Sequence, residues 1–211
     1  MPSRILAAIL LLLLAGAGRP ALASGGEVAL IPGPVDDPPR HLLAELGLGS
    51  TTFGGGGFAS SFLFGGGGPL GSLPLRLYLV GEVAFLLASD AGETGLGLAY
   101  TESRRYGDLM LGVRLQHPLY EPLSLFTQVQ VGGSAVSARL ERETLASRVA
   151  SGWTFLAELT LGLQLRLLPL LSCGLHFSMA LNDEDVAGLR WLVGAAPVHR
   201  SWAGGSLTWH F

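Results

Sequence analysis

The sequence has a single cysteine and little charge of either sign. Because Cys173 is the only cysteine among 211 residues, no disulfide can form within the chain. The formal net charge of −3 at pH 7 argues against a nucleic-acid-binding protein, since such proteins carry a basic face. We therefore expect no nucleic-acid partner.

The sequence also lacks the spacings that metal and phosphate sites require. No ligand spacing is present among its five histidines, which are His41, His117, His176, His199 and His210. The two glycine runs, Gly54–Gly57 and Gly65–Gly68, are not followed by the Lys-Ser/Thr pair of a phosphate-binding loop. These absences predict neither a metal site nor a cofactor.

Long apolar runs are scarce as well. One lies near the start, from Ile5 to Leu14, after the basic Arg4. It is too short for a transmembrane helix, which needs about 20 apolar residues. Together with the small residues of Ala21-Leu22-Ala23 it has the pattern of a signal peptide, which we predict over residues 1–23. Because no later run is long and uncharged, a mature chain inside a membrane would have to cross it as strands.

The sequence is rich in glycine, has prolines concentrated near its start, and shows a regular alternation of residue types. It contains 31 glycines, and hydrophobic residues make up 49% of the chain. Four prolines in residues 24–40 predict an extended periplasmic lead-in. From residue 41 onward apolar residues occupy every second position, which is typical of β-strands with two different faces. The alternation predicts eight strands, at residues 42–49, 73–85, 95–100, 109–116, 123–131, 153–166, 171–181 and 203–211.

These strands favour a membrane barrel over a secreted sandwich. Their apolar face is nearly unbroken leucine, and their other face holds glycine and ionisable residues instead of a second apolar layer. Predicted short connections (88–94, 117–122, 168–170) alternate with long ones (51–71, 101–108, 134–150, 182–201), as in outer-membrane barrels. The fold class we predict is all-β: an antiparallel transmembrane β-barrel of eight strands over residues 41–211. Ten strands are the alternative, if Phe58–Phe64 and Leu189–Val193 are also strands.

The end of the chain carries a resemblance to a known group. The signal peptide, the alternating strands and the ending Leu207-x-Trp209-x-Phe211 resemble small bacterial outer-membrane β-barrels of the OmpA/OmpX type. The resemblance implies that Leu207, Trp209 and Phe211 form an assembly signal read by the barrel-assembly machinery. It also implies a monomer surrounded by outer-membrane lipid and lipopolysaccharide. The group includes anchors, adhesins, small pores and lipid-modifying enzymes. We expect a structural or surface-interaction role, with a small pore or a lipid A-modifying hydrolase as alternatives.

Six charged residues are predicted to face the barrel lumen. By alternation they are Glu45, Arg76, Glu82, Arg114, Glu158 and Arg166. An eight-stranded barrel is just wide enough for side chains to fill, so these residues predict a packed polar plug, with a water-filled path as the alternative. We expect Arg76 nearer the outside, Glu158 near the middle and the other four toward the periplasmic end.

Two further features are candidates for function. His176-Phe177-Ser178 resembles the His-x-Ser of outer-membrane lipid A deacylases, but Met179 stands where that family has Asn, and both polar residues are predicted to face the lumen. We therefore favour a polar pair inside the plug. The predicted loop at residues 53–68 contains four phenylalanines, so it is a candidate site for a surface ligand, with a flexible low-complexity segment as the alternative.

Overall fold

The computed structural model describes residues 41–51, 56–93, 99–142, 145–182 and 200–211, which form a closed barrel of eight antiparallel strands. Each strand pairs with the next, and β8 pairs with β1. The fold class predicted from the alternation is confirmed. The predicted signal peptide, the lead-in at residues 24–40 and the extra strand Leu189–Val193 lie outside the described residues. The strands are β1 Leu42–Thr51, β2 Gly57–Pro69, β3 Arg76–Glu93, β4 Ala99–Tyr120, β5 Leu123–Arg142, β6 Leu145–Leu168, β7 Leu171–Asn182 and β8 Arg200–His210.

The two ends of the barrel differ in their connections. At the end that we call the terminal end, His41 and Leu42 donate backbone hydrogen bonds to the carbonyl of Phe211, at 3.0 and 3.1 Å. The connections there are short, at residues 70–75, 121–122 and 169–170. We call the opposite end, where β1 finishes and β8 begins, the distal end.

The alternation of residue types gives the wall two chemically different faces. Leu79, Leu111 and Leu175 point outward and are 68%, 68% and 71% exposed, whereas Tyr78 and Met110 point inward and are buried. Exposed apolar side chains of this kind occur on all eight strands, and they form a band that only lipid could cover at low cost. Within the described residues no helix is long and apolar enough to cross a membrane.

The glycine-rich segment predicted as a surface loop is a strand of the wall. Strand β2 runs through it, and Phe62 pairs with Leu46 on one side and with Val83 on the other. Phe58, Phe62 and Phe64 point outward within the apolar band. Glycine is required at Gly67, where a Cβ would collide with the backbone carbonyl of Leu77. The loop assignment is therefore wrong for residues 57–68, and a surface ligand at this segment stays a prediction.

Two predicted strands are parts of one long strand. Residues 101–108, predicted as a loop, lie inside the 22-residue strand β4. Glu102, Arg104 and Asp108 are buried on its inner face, so the alternation continues through charged residues that resemble a loop in the sequence. The alternative strand Phe58–Phe64 exists as part of β2. The predicted number of eight strands is still correct, because this added strand offsets the two predicted strands that form the single strand β4.

Four neighbouring strands extend beyond the others at the distal end. Strands β3 to β6 have 18, 22, 20 and 24 residues, whereas the other four have 10 to 13. Residues 134–150, predicted as a loop, are mostly the ends of β5 and β6. We call this extension the distal sheet, comprising residues 89–93, 99–105, 137–142 and 145–151. Many of its outward side chains are polar, among them the exposed Thr101, Arg105, Arg139 and Glu141, and Val149 is an exposed apolar exception.

Candidate functional site: the polar lumen

The inner face of the barrel carries two ion pairs that reach across the lumen. One joins β4 to β1 near the terminal end, and the other joins β4 to β8 nearer the distal end. All four side chains are buried, with at most 6% of each exposed. A buried charge is tolerated only when it is paired and hydrogen-bonded, so these pairs decide how the lumen is filled.

The pair near the terminal end is Arg114 with Glu45. The guanidinium donates from Nη1 to Oε2 at 2.7 Å and from Nη2 to Oε1 at 2.9 Å, a bidentate arrangement. Its Nε donates to Oε1 of Gln128 at 2.7 Å, and its carbon lies 4.4 Å from the ring centre of Phe126. The Thr208 hydroxyl donates a further hydrogen bond to Glu45 at 2.6 Å.

Glutamine side chains extend this arrangement into a network. Gln164 donates to the hydroxyl of Thr208 at 2.6 Å, and Gln116 donates to Oε1 of Gln164 at 2.8 Å. On the other side, Gln128 donates to Oε2 of Glu82 at 2.9 Å and to Oε1 of Gln130 at 2.7 Å. Glutamine suits this position because it adds both donors and acceptors without adding charge. The result is a hydrogen-bonded layer that spans several strands.

The middle of the lumen holds Glu158. Thr160 donates to its Oε1 at 3.2 Å, and the Thr160 hydroxyl also lies 2.7 Å from the hydroxyl of Ser178. Glu82, in the network below, repels Glu158 electrostatically. Arg200, from above, attracts Glu158. Asp108, the partner of Arg200, also repels Glu158, so the contacts that hold this carboxylate come mainly from hydroxyl groups.

The pair nearer the distal end is Arg200 with Asp108. Arg200 donates from Nη2 to Oδ2 at 2.6 Å and from Nη1 to Oδ1 at 3.3 Å, and Ser134 donates to Oδ1 at 2.5 Å. The guanidinium carbon of Arg200 lies 4.7 Å from the ring centre of Tyr106. Above it, Nε of Arg104 donates to Glu102 at 2.5 Å.

The predicted lumen residues do not all belong together. Glu45, Glu82 and Arg114 share the lower network, and Glu158 lies next to it. Arg166 is at the terminal rim, with its Nη1 3.7 Å from Oε1 of Glu121. Arg76 pairs across the sheet with Gln116, so it lies at the terminal end, the same end as Arg166 and not the opposite end as predicted. The error follows from the missed strand β2, which reverses the direction assigned to β3.

Half of the buried charged residues in the described part of the lumen are not among the predicted ones. Asp108, Arg200, Glu102 and Arg104 lie in predicted loops, yet all four are buried. In β4 a signal was available, because even-numbered positions from 102 to 116 carry the inward residues without a break. No comparable signal exists at Arg200, which begins β8 directly after residues that the structure does not describe.

His176 and Ser178 are both buried in the lumen, but they do not form a nucleophile and base. The hydroxyl of Ser178 pairs with Thr160 at 2.7 Å. The ring of His176 packs edge-on against Trp202, with 4.5 Å between ring centres, and neither ring nitrogen has a hydrogen-bond partner in the described part of the chain. His176 therefore makes no hydrogen bond to Ser178 and is not placed as its general base. The described residues also include no group of His, Cys, Asp or Glu side chains that could hold a metal.

Leu207, Trp209 and Phe211 point outward at the junction of β8 with β1. Leu207 and Trp209 lie on β8, and the amide of Phe211 donates to the carbonyl of Leu42 at 2.9 Å. All three side chains are exposed on the outer wall. Their recognition by the assembly machinery stays a prediction.

No known protein family and no curated protein matches this chain in sequence. Its fold is similar to several solved outer-membrane proteins. A major outer membrane protein from Thermus thermophilus shares 14% identity, with a TM-score of 0.49 and coverage of 82% of this chain and 99% of that one. The attachment invasion locus protein Ail of Yersinia pestis, in complex with a heparin analogue, shares 12% identity with a TM-score of 0.48, and the alignment covers 82% of this chain and 99% of Ail. Neisserial surface protein A shares 7% identity with a TM-score of 0.45, and the alignment covers 81% of this chain and 96% of that one. Likeness at this level concerns the fold and carries no information about function.

Proposed function

We propose that the protein is a non-conducting β-barrel of the bacterial outer membrane, with a structural role in the envelope and a surface-interaction role through its distal sheet. In this proposal residues 1–23 direct export, and the distal end faces the cell exterior. The short connections of the terminal end support this orientation, because outer-membrane barrels have short periplasmic turns.

The observation that carries the proposal is the pair of bidentate ion pairs at two levels of the lumen. Arg114 with Glu45 and Arg200 with Asp108 each join non-adjacent strands across the interior. The lumen of an eight-stranded barrel has about the width of such side chains, so each pair blocks the path of ions. Outside the apolar band, the polar outward face of the distal sheet suits contact with water and with other molecules.

Single-channel recording in planar bilayers tests the closed lumen. We expect wild-type barrels to show no conductance steps, and a variant with Arg114→Ala and Arg200→Ala to show steps, because both guanidinium groups are removed. An Arg139→Ala variant serves as a control, since Arg139 lies on the outer face. Heat-modifiable migration on a gel verifies that each variant is folded. Wild-type steps equal to those of the double variant would establish a pore instead.

Labelling of intact cells tests the orientation. In a Cys173→Ser background, one cysteine is placed at Ser151 on the distal sheet and, in a second variant, at Leu170 in a turn of the terminal end. Both positions are exposed. We expect a membrane-impermeant maleimide to label only the variant at position 151. Labelling of position 170 alone would reverse the orientation.

A further inference from the structure

A groove on the outer wall lies where the apolar band meets the distal sheet. Its volume is about 440 Å³. Phe85, Gly107, Ala135 and Trp153 line it, and these four residues pair directly across β3, β4, β5 and β6. Two small residues therefore lie between two aromatic ones in a single row, and the row forms a trough. We call it the boundary groove.

The floor of the boundary groove has unused space. A Cβ built at Gly107 would meet only the Phe85 ring, at 3.9 Å, which is ordinary contact. Phe85 and Trp153 stand on either side and are 60% and 74% exposed. A flexible apolar chain could lie over Gly107 and Ala135 and contact both rings.

A cation lies one row above the floor. Arg105 pairs with Leu87 and with Ser137, so it stands on the outer face directly distal to Gly107. It is exposed, and among the described residues no carboxylate is paired with it. The neighbouring Arg139, by contrast, is paired with Glu141 at 2.8 Å. The groove thus combines an apolar trough with an exposed guanidinium one row nearer the distal end.

We propose that the boundary groove binds lipid A, the phosphorylated glycolipid of the outer leaflet. Arg105 binds a phosphate through its guanidinium, whose planar fork matches phosphate geometry. One acyl chain occupies the trough between Phe85 and Trp153, and the indole lies at the interface, where tryptophan is favoured. This inference rests on the proposed function in one respect: the distal end must face the exterior, where this lipid resides.

Native mass spectrometry of the full chain in detergent, with added bisphosphorylated lipid A, tests the site. Arg105→Gln removes the cation, and Arg148→Gln removes an exposed arginine on the inner side of the distal sheet as a control for the loss of one charge away from the groove. We expect Arg105→Gln to lower the retained lipid about tenfold, as loss of one strong charge-assisted contact implies. Arg148→Gln should retain as much lipid as wild type. Equal retention by the two variants would overturn the proposal.

A second pair of variants tests the trough without a change in charge. Gly107→Leu fills it, whereas Gly205→Leu adds the same side chain to another outward position with room for a Cβ, 3.5 Å from the carbonyl of Gly174. We expect Gly107→Leu to lose lipid A and Gly205→Leu to keep it. Heat-modifiable migration should be the same for both.

Two other lipids test whether the boundary groove is specific for phosphorylated lipid A. Dephosphorylated lipid A should be retained about tenfold less than the phosphorylated form, for the reason given for Arg105. Retention of phosphatidylglycerol equal to that of lipid A would overturn the assignment and identify a general phosphate site. All these measurements are independent of conductance and of orientation in cells, so their failure is distinguishable from failure of the proposed function.

Discussion

Arg114 and Glu45 lie 69 positions apart in the chain, yet they form a bidentate ion pair across the lumen, with N···O distances of 2.7 and 2.9 Å. Both side chains are almost fully buried, since at most 6% of each is exposed. Desolvation of both charges costs free energy that only the pair and its hydrogen bonds offset. The lumen is therefore a set of mutually dependent groups, and removal of one partner should be more damaging than removal of both.

This dependence gives the first prediction. Arg114→Ala should lower the free energy of unfolding by about 3–5 kcal/mol, because it leaves the carboxylate of Glu45 buried without its partner. The double variant Arg114→Met with Glu45→Leu should lose less free energy of unfolding than Arg114→Ala alone. Urea unfolding in lipid vesicles measures both values. The exposed pair of Arg139 with Glu141 is the control, and Arg139→Ala should cost less than about 1 kcal/mol.

The wall could be predicted from the sequence better than the connections could. Outward leucines such as Leu79 and Leu111 recur at every second position, and this pattern identified the barrel because lipid requires an apolar surface. Strand β2 is only an alternative in the sequence prediction, because its glycines have no side chains that could extend the pattern of Phe58–Phe64. Pairing decides the structure there: Phe62 has partners on both sides, at Leu46 and Val83.

The lumen was less predictable for a different reason. Alternation indicates which side chains point inward, but not which strands meet across the interior. Glu45 lies opposite Arg114 because the sheet closes into a barrel, and closure is a property of the whole sheet. In the sequence, inward charged residues such as Glu102 and Arg104 also predict a solvated loop, because charged side chains are usually exposed. Only their even spacing distinguishes them from a loop.

A charge placed on β2 should show that this segment crosses the membrane. Phe62→Arg puts a cation on the apolar band and should destabilise the folded barrel by about 2–4 kcal/mol, the cost near the bilayer midplane. Ser137→Arg, on the outer face of the distal sheet, is the matched control and should change stability by less than about 1 kcal/mol. Equilibrium unfolding in vesicles gives both values. If Phe62→Arg were as harmless as the control, residues 57–69 would be a loop.

Two glycines of the wall should respond differently to the same substitution. A Cβ at Gly132 would collide with the carbonyl of Leu109, whereas a Cβ at Gly107 would make only an ordinary contact with the Phe85 ring. Gly132→Ala should therefore destabilise the barrel by about 1–3 kcal/mol, as overpacking does, and Gly107→Ala should not. The urea midpoints of the two variants test this. Equal midpoints would mean that β4 and β5 are farther apart at Gly132 than described.

Variants of His176 test whether this residue stabilises the barrel through hydrogen bonds of its ring nitrogens or through the volume of its ring. Its ring fills space against Trp202, and neither nitrogen has a hydrogen-bond partner in the described part of the chain. Replacing an unsatisfied polar ring with an apolar ring of similar shape should be nearly neutral, so His176→Phe should change the free energy of unfolding by less than about 1 kcal/mol. His176→Ala leaves a cavity beside Trp202 and should cost about 2–3 kcal/mol. Urea unfolding followed by tryptophan fluorescence measures both variants. If His176→Phe lost as much stability as His176→Ala, the imidazole nitrogens would be making a contact that the described residues do not contain.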